Sequence, residues 1–203
     1  MSEAQSGRLT FQDGARAVEL AREAVEAYVL NGQREHPGSM REAFYDRTGV
    51  FVRLEATGGR LRGCAGAHES SQQLGHGIVE SAINAASEDS CRTEVEPAEL
   101  GNLAISVCAV TNLVLTDDPE ADLAVGVHGV ALDSPDGNAW MYPTVPLDNG
   151  WNKYEYLDRT CRKAGLPKGA WEADDVMVTL FEGQVFRERT PGGEIEELTL
   201  NLP

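Results

Sequence analysis

The stretch FVRLEATGGRLRGCAGAHES, Phe51 to Ser70, decides the fold. From Gly49 to Glu55, Val50, Val52 and Leu54 alternate with Phe51, Arg53 and Glu55, the period of a strand with one face on a core. Thr57-Gly58-Gly59 then turns the chain into Arg60 to Gly66, so the stretch reads as an antiparallel hairpin. Its returning strand is unusual, with two arginines, a cysteine and two glycines among Arg60 to Ala67. Glycine inside a strand marks a bulge or the close approach of another backbone or a ligand. Plain alternation puts Arg60, Arg62 and Cys64 on one face, stepping about 6.5 Å per two residues. A guanidinium beside a thiol favours the thiolate, the form that attacks electrophiles. Gly63 and Gly66 leave room there for a ligand or a neighbouring backbone.

Working outward, a docking helix is expected from Ala15 to Leu30, ended by Asn31-Gly32, and a second from Ser71 to Ala86, capped by Ser70 or Ser71. Glu88 and Asp89 would close the second unfavourably for its dipole. Strands are expected over 103–110, 125–132 and 139–142, with TDDPEAD and SPDGN as turns. A third helix begins at an Asn152/Glu155 capping box and buries Trp151, Tyr154, Leu157, Cys161 and Ala164. A last strand, 176–187, leads to TPGGEIEELTLNLP, expected as a loosely attached tail. Strands outnumber helices and hairpins dominate, so the class is α+β with largely antiparallel sheets. The organisation is an N-terminal extension (1–14), one domain of two closely packed subdomains (15–188) and a C-terminal tail (189–203).

The 203 residues carry 33 acidic and 17 basic side chains, a net charge of -16, and only three lysines, Lys153, Lys163 and Lys168. Such a surface repels phosphate backbones and anionic lipid, which excludes nucleic acid and membranes as expected partners. Acid spread along the whole chain with lysine scarce is the pattern of a protein kept soluble in concentrated salt, a halophile's cytosol. MSEAQSGRLTFQDG has neither a basic n-region nor an apolar h-region, and no apolar run approaches a bilayer's thickness, so a cytoplasmic location is expected. Cys64, Cys91, Cys108 and Cys161 show no CxxC spacing and read as reduced thiols.

The order LRGCAG (61–66), VGVHGV (125–130), YPTVP (142–146), GW (150–151) and CRKAGL (161–166), ending in VFRE, resembles the AMMECR family of archaea, bacteria and eukaryotes. The likeness covers roughly Ala15 to Glu188 and points to a haloarchaeal member. The family hexapeptide Leu-Arg-Gly-Cys-Ile-Gly is intact except for Ala65. EDSCR stands where Glu-Asp-Pro-Arg-Phe is usual, and YPTVP where Leu-Pro-Gln-Val-Ala is common. The resemblance implies a two-subdomain α+β fold with the hexapeptide near a cleft. It implies no established reaction, and it suggests Memo-like or radical-SAM proteins as pathway partners only by association.

Two classes of function stay open on residue chemistry. In a thiol-dependent enzyme or modification factor, Cys64 is the nucleophile, Arg62 with Arg60, Gly63 and Gly66 holds a small anionic ligand, and His128 moves a proton or donates a hydrogen bond. In a non-catalytic module the hexapeptide is a rigid element docking a partner protein or ligand. A small buried thiol, a structural ion pair for Arg62 and a turn-holding role for His128 are the corresponding structural readings. Cys64 and His68, with His76, lack a fourth ligand, so neither metal nor cofactor is expected. Cys108 and Cys161 read as core, and Cys91 carries no assigned role.

Overall fold

The computed structural model describes residues 8–38, 41–69, 71–87 and 93–198. Cys91, Glu88, Asp89 and the Ser70 cap lie outside them. The chain divides into two compact units, one taking in residues up to Val110 together with Gln184–Leu198, the other Thr111–Gly183.

In the first unit, α1 (Phe11–Asn31) begins earlier than the apolar periodicity implies, because Thr10 and Asp13 form a reciprocal capping box that satisfies the first backbone N–H groups. Gly32, at φ 65°, supplies the left-handed residue that ends it. Ala17, Leu20, Ala21 and Ala24 face the core. The hairpin strands β1 (Val50–Ala56) and β2 (Arg60–Ala67) pair antiparallel, and β1 pairs on its other side with β3 (Leu103–Thr116). The helix α2 (Leu74–Ser87) buries Leu74, Ile78, Ala82 and Ile83, and packs on α1, β1 and β2. It starts three residues after the expected Ser71, where Leu74 donates its N–H to the Asp46 carbonyl.

In the second unit, β4 (Gly129–Ser134) pairs with β5 (Gly137–Met141) and with β6 (Met177–Glu188), both antiparallel. Between β3 and β4 a single turn, α3 (Pro119–Asp122), is capped by Asp118. Residues 125–128, expected as the start of a strand, lie instead in a turn closed by the N–H groups of Val127 and His128 onto the Ala124 carbonyl. The YPTVP segment contributes α4 (Val145–Asn149), and α5 (Lys153–Lys163) carries the expected Asn152/Glu155 box. Its buried stripe runs through Tyr156, Leu157, Thr160 and Cys161; Tyr154, expected inside, is exposed with its hydroxyl on Glu120. Burial pushes both the Tyr156 phenol and the Cys161 thiol up from their usual pKa range.

The tail expectation fails for residues 195–198. These form β7 (Ile195–Leu198), paired antiparallel with Val185–Glu188. The charged run EIEEL hides the strand period, and the pairing is held by Glu196, which accepts hydrogen bonds from Arg187 and Arg189, both at 2.9 Å.

Candidate functional site

The hexapeptide sits on β2, and a one-residue bulge decides which way its side chains face. Arg60 pairs with Ala56 and Leu61 with Glu55, but Gly63 pairs with Leu54, so Arg62 is the extra residue. Beyond it the register is displaced by one, which in a strand exchanges the two faces. Cys64 therefore stands opposite Arg53, where an unbroken register would have set it opposite Val52. The expectation that Arg60 and Cys64 share a face is overturned: Ala56 and Arg53, their partners, are three residues apart and point oppositely.

The bulge also puts Gly63 in the core-facing slot beside the fully buried Leu54. A Cβ on Gly63 would collide with the Ala85 carbonyl of α2, so the missing side chain is filled by that helix and leaves no ligand space on this side. Gly66, at φ 145°, passes close to the Val50 carbonyl and Phe51, a conformation and spacing that exclude any other residue.

Arg62 is turned into the structure. Its Nε and Nη2 donate to the two carboxylate oxygens of Glu99 at 2.7 and 2.9 Å, and Nη1 and Nη2 to the Thr93 and Glu94 carbonyls at 3.0 and 2.9 Å. These bonds take four of a guanidinium's five donors. Glu99 lies in a 3-10 helix (Pro97–Asn102) and also accepts the Glu96 N–H at 2.8 Å. The Arg62 guanidinium holds its carboxyl at about 2, well below the usual range. Arg62 thus clamps the chain leaving α2 to the sheet.

Cys64 remains a thiol, half-buried, whereas Cys108 and Cys161 are thiols buried completely. Directly opposite side chains on antiparallel strands lie about 4.5–5.5 Å apart at Cβ. The cation beside the thiol by register is therefore Arg53, which pairs on its other side with Ser106 of β3. Arg53 is itself bonded to Glu55, Nη2 to Oε1 at 2.6 Å, so the two charges offset each other locally. The row Cys64–Arg53–Ser106 was readable in part, since alternation separates Arg53 and Glu55 from the core-facing valines. The bulge that brings Cys64 to them leaves only the glycine at 63 as its signal.

His128 lies in the second unit. Its Nδ1 accepts the Ala124 N–H at 3.1 Å, so the neutral ring carries its proton on Nε2, 4.0 Å from Glu182 Oε1. Glu182 in turn accepts from the Asn112 amide at 3.1 Å. The Nδ1 lone pair is spent on the Ala124 N–H, and taking up a proton there would cost that bond. Arg60, Arg62 and Cys64 share β2 in the first unit, but Arg62 is turned onto Glu99, Cys64 stands opposite Arg53 and Arg60 opposite Ala56. Among the described residues no three His, Cys, Asp or Glu side chains converge as metal ligands.

These features define an α+β protein whose hexapeptide is part of the framework and whose thiol borders an internally neutralised ion pair. The chain belongs to the AMMECR1 family, whose model matches residues 18–186. A Halobacterium salinarum protein is 65% identical, the match covering 98% of this chain and all of that protein. A Methanopyrus kandleri protein is 34% identical over 95% of this chain and 97% of its own. In structure the chain is similar to the uncharacterised protein PH0010 from Pyrococcus horikoshii, with a TM-score of 0.89 at 30% identity, covering 94% of this chain and 98% of that one. None of these relatives carries a named activity. Among the described residues no helix is long and apolar enough to cross a membrane.

Proposed function

We propose that the protein is a non-catalytic binding module of the cytosol, with LRGCAG as its rigid frame and a partner protein, not nucleic acid, as its ligand. The observation that carries this reading is the spending of the hexapeptide on the fold. Arg62 clamps Glu99 and two carbonyls, and Gly63 admits the Ala85 carbonyl of α2. The surface charge of -16 supports a protein partner over a nucleic acid.

One observation favours the second reading, a thiol-dependent enzyme: Cys64 is half-buried and opposite a guanidinium. The two differ in what Arg53 does to the thiol. Mass-spectrometric mapping of iodoacetamide labelling against pH, for the parent, Arg53→Ala, Arg53→Lys and Arg62→Ala, separates them. The module reading expects Cys64 to label before Cys108 and Cys161 by exposure alone, with a pH profile that neither arginine moves. A profile displaced upward by about a unit or more in Arg53→Ala and restored in Arg53→Lys would establish an activated thiol and overturn the module.

A further inference from the structure

Strand β3 is accompanied by β1 only as far as Val110, where the Thr48 hydroxyl and the Gly49 carbonyl make the last contacts. Among the described residues no strand pairs with that edge over Thr111–Thr116. The edge is not blunted in the usual ways: TNLVLT contains no charge and no proline. Asn112 to Leu115 are exposed, Leu115 to 64%, and Met177 at the start of β6 to 57%.

A cavity of about 600 Å³ opens at the end of this edge, between residues 115–120 and 171–178. Its buried floor includes Pro119, Trp171 and Val178. Five carboxylates line it, with no lysine or arginine among the lining residues. Two have local duties, Asp118 capping α3 and Glu120 accepting the Tyr154 hydroxyl. The side chains of Asp117, Glu172 and Asp174 are exposed at the rim. No three carboxylates meet at one point, so the arrangement suits distributed positive charge better than a metal ion.

We propose that this open edge and its acidic cavity dock an extended segment of a partner protein in which apolar residues alternate with lysine or arginine. The segment adds a strand beside Thr111–Thr116, covers Leu115 and Met177, and sets its cationic side chains against Asp117, Glu172 and Asp174. An edge of six residues spans roughly 17 Å, enough for three side chains on each face of the added strand. The occupant is a cationic partner because charge decides it. TNLVLT is nearly self-complementary about Val114, setting Leu113 opposite Leu115, but a second copy would bring two acidic rims together on chains that each carry -16. The proposal rests on the binding-module reading and adds the surface and the partner's chemistry.

The probe is a synthetic ten-residue peptide alternating valine with arginine and threonine, and its counterpart with glutamate for arginine. Both are titrated by backbone-amide NMR into the whole chain, at a salt concentration where circular dichroism shows it folded. Binding of the arginine peptide alone is expected, with shifts concentrated over 111–118 and 171–178. Leu115→Arg should weaken it at least 10-fold, and Leu30→Arg, at a comparably exposed position of α1, should leave it unchanged. The proposal is overturned if neither peptide binds at millimolar concentration, if the glutamate peptide binds as well, or if Leu30→Arg weakens binding equally. A parent that is a dimer by light scattering, and that Leu115→Arg makes monomeric, assigns the edge to a second copy instead. None of these outcomes touches Cys64 labelling, so failure here and failure of the module reading are told apart.

Discussion

Replacing Arg62 with methionine keeps most of the aliphatic stem and removes the guanidinium, which is the group the structure uses. Its side chain is 9% exposed, while that of Glu99 is 35% exposed. Losing one member of a buried pair costs about 3–5 kcal/mol, because an uncompensated charge is left behind. Here the remaining carboxylate can rehydrate, which returns part of that cost. The Thr93 and Glu94 carbonyls also lose their charged donor, and each such bond contributes roughly 1.5–3 kcal/mol at full burial. A net loss of about 2–3 kcal/mol is expected, or roughly 5–10 °C in Tm for a chain of this size. Acid should erase much of the difference. The folded pKa of Glu99, about 2, lies below its ordinary 4.5, so its stabilisation is fully present above the higher value and is lost as pH falls through the lower. Guanidinium chloride unfolding of parent and Arg62→Met at constant salt, from pH 7 down to 2.5, measures both effects. A difference under about 0.5 kcal/mol at pH 7, or one that does not narrow below pH 4.5, would refute the clamp.

His128→Asn should retain an acceptor near the position of Nδ1 and keep the turn, whereas His128→Ala should lose about 1 kcal/mol from the Ala124 N–H left without its partner; unequal thermal midpoints check this. Diluting the protein from concentrated salt to about 10 mM extends the screening length to about 30 Å, and the 33 carboxylates then repel across the molecule. Circular dichroism should report loss of structure on dilution and recovery on adding salt; an unchanged spectrum would refute salt adaptation.

The elements that announced themselves were those whose signal is local. The Asn152/Glu155 box, the Asn31-Gly32 stop and the Val50–Val52–Leu54 alternation each depend on a few neighbouring residues, and all three stand in the structure. The elements that were hidden depend on partners far along the chain. β7 is a strand because Val185–Glu188 offers it an edge, which its acidic sequence does not disclose. α1 reaches back to Phe11 because Thr10 and Asp13 close a box that the apolar period does not include. The hexapeptide combines both cases. Its glycine at 63 signalled a bulge or a close approach, and the structure has both, the bulge at Arg62 and the Ala85 carbonyl against Gly63. What no local rule supplies is the residue at which the register moves, and that one step decides whether Cys64 faces the core or Arg53. Arg62 was legible as a charge in want of a partner. Glu99, 37 residues on in a 3-10 turn, became its partner only through the packing of α2, which carries that segment back to the sheet. The chemistry suggested by an arginine two residues from a cysteine therefore belongs to a different pair, Cys64 and Arg53, that only the folded register creates.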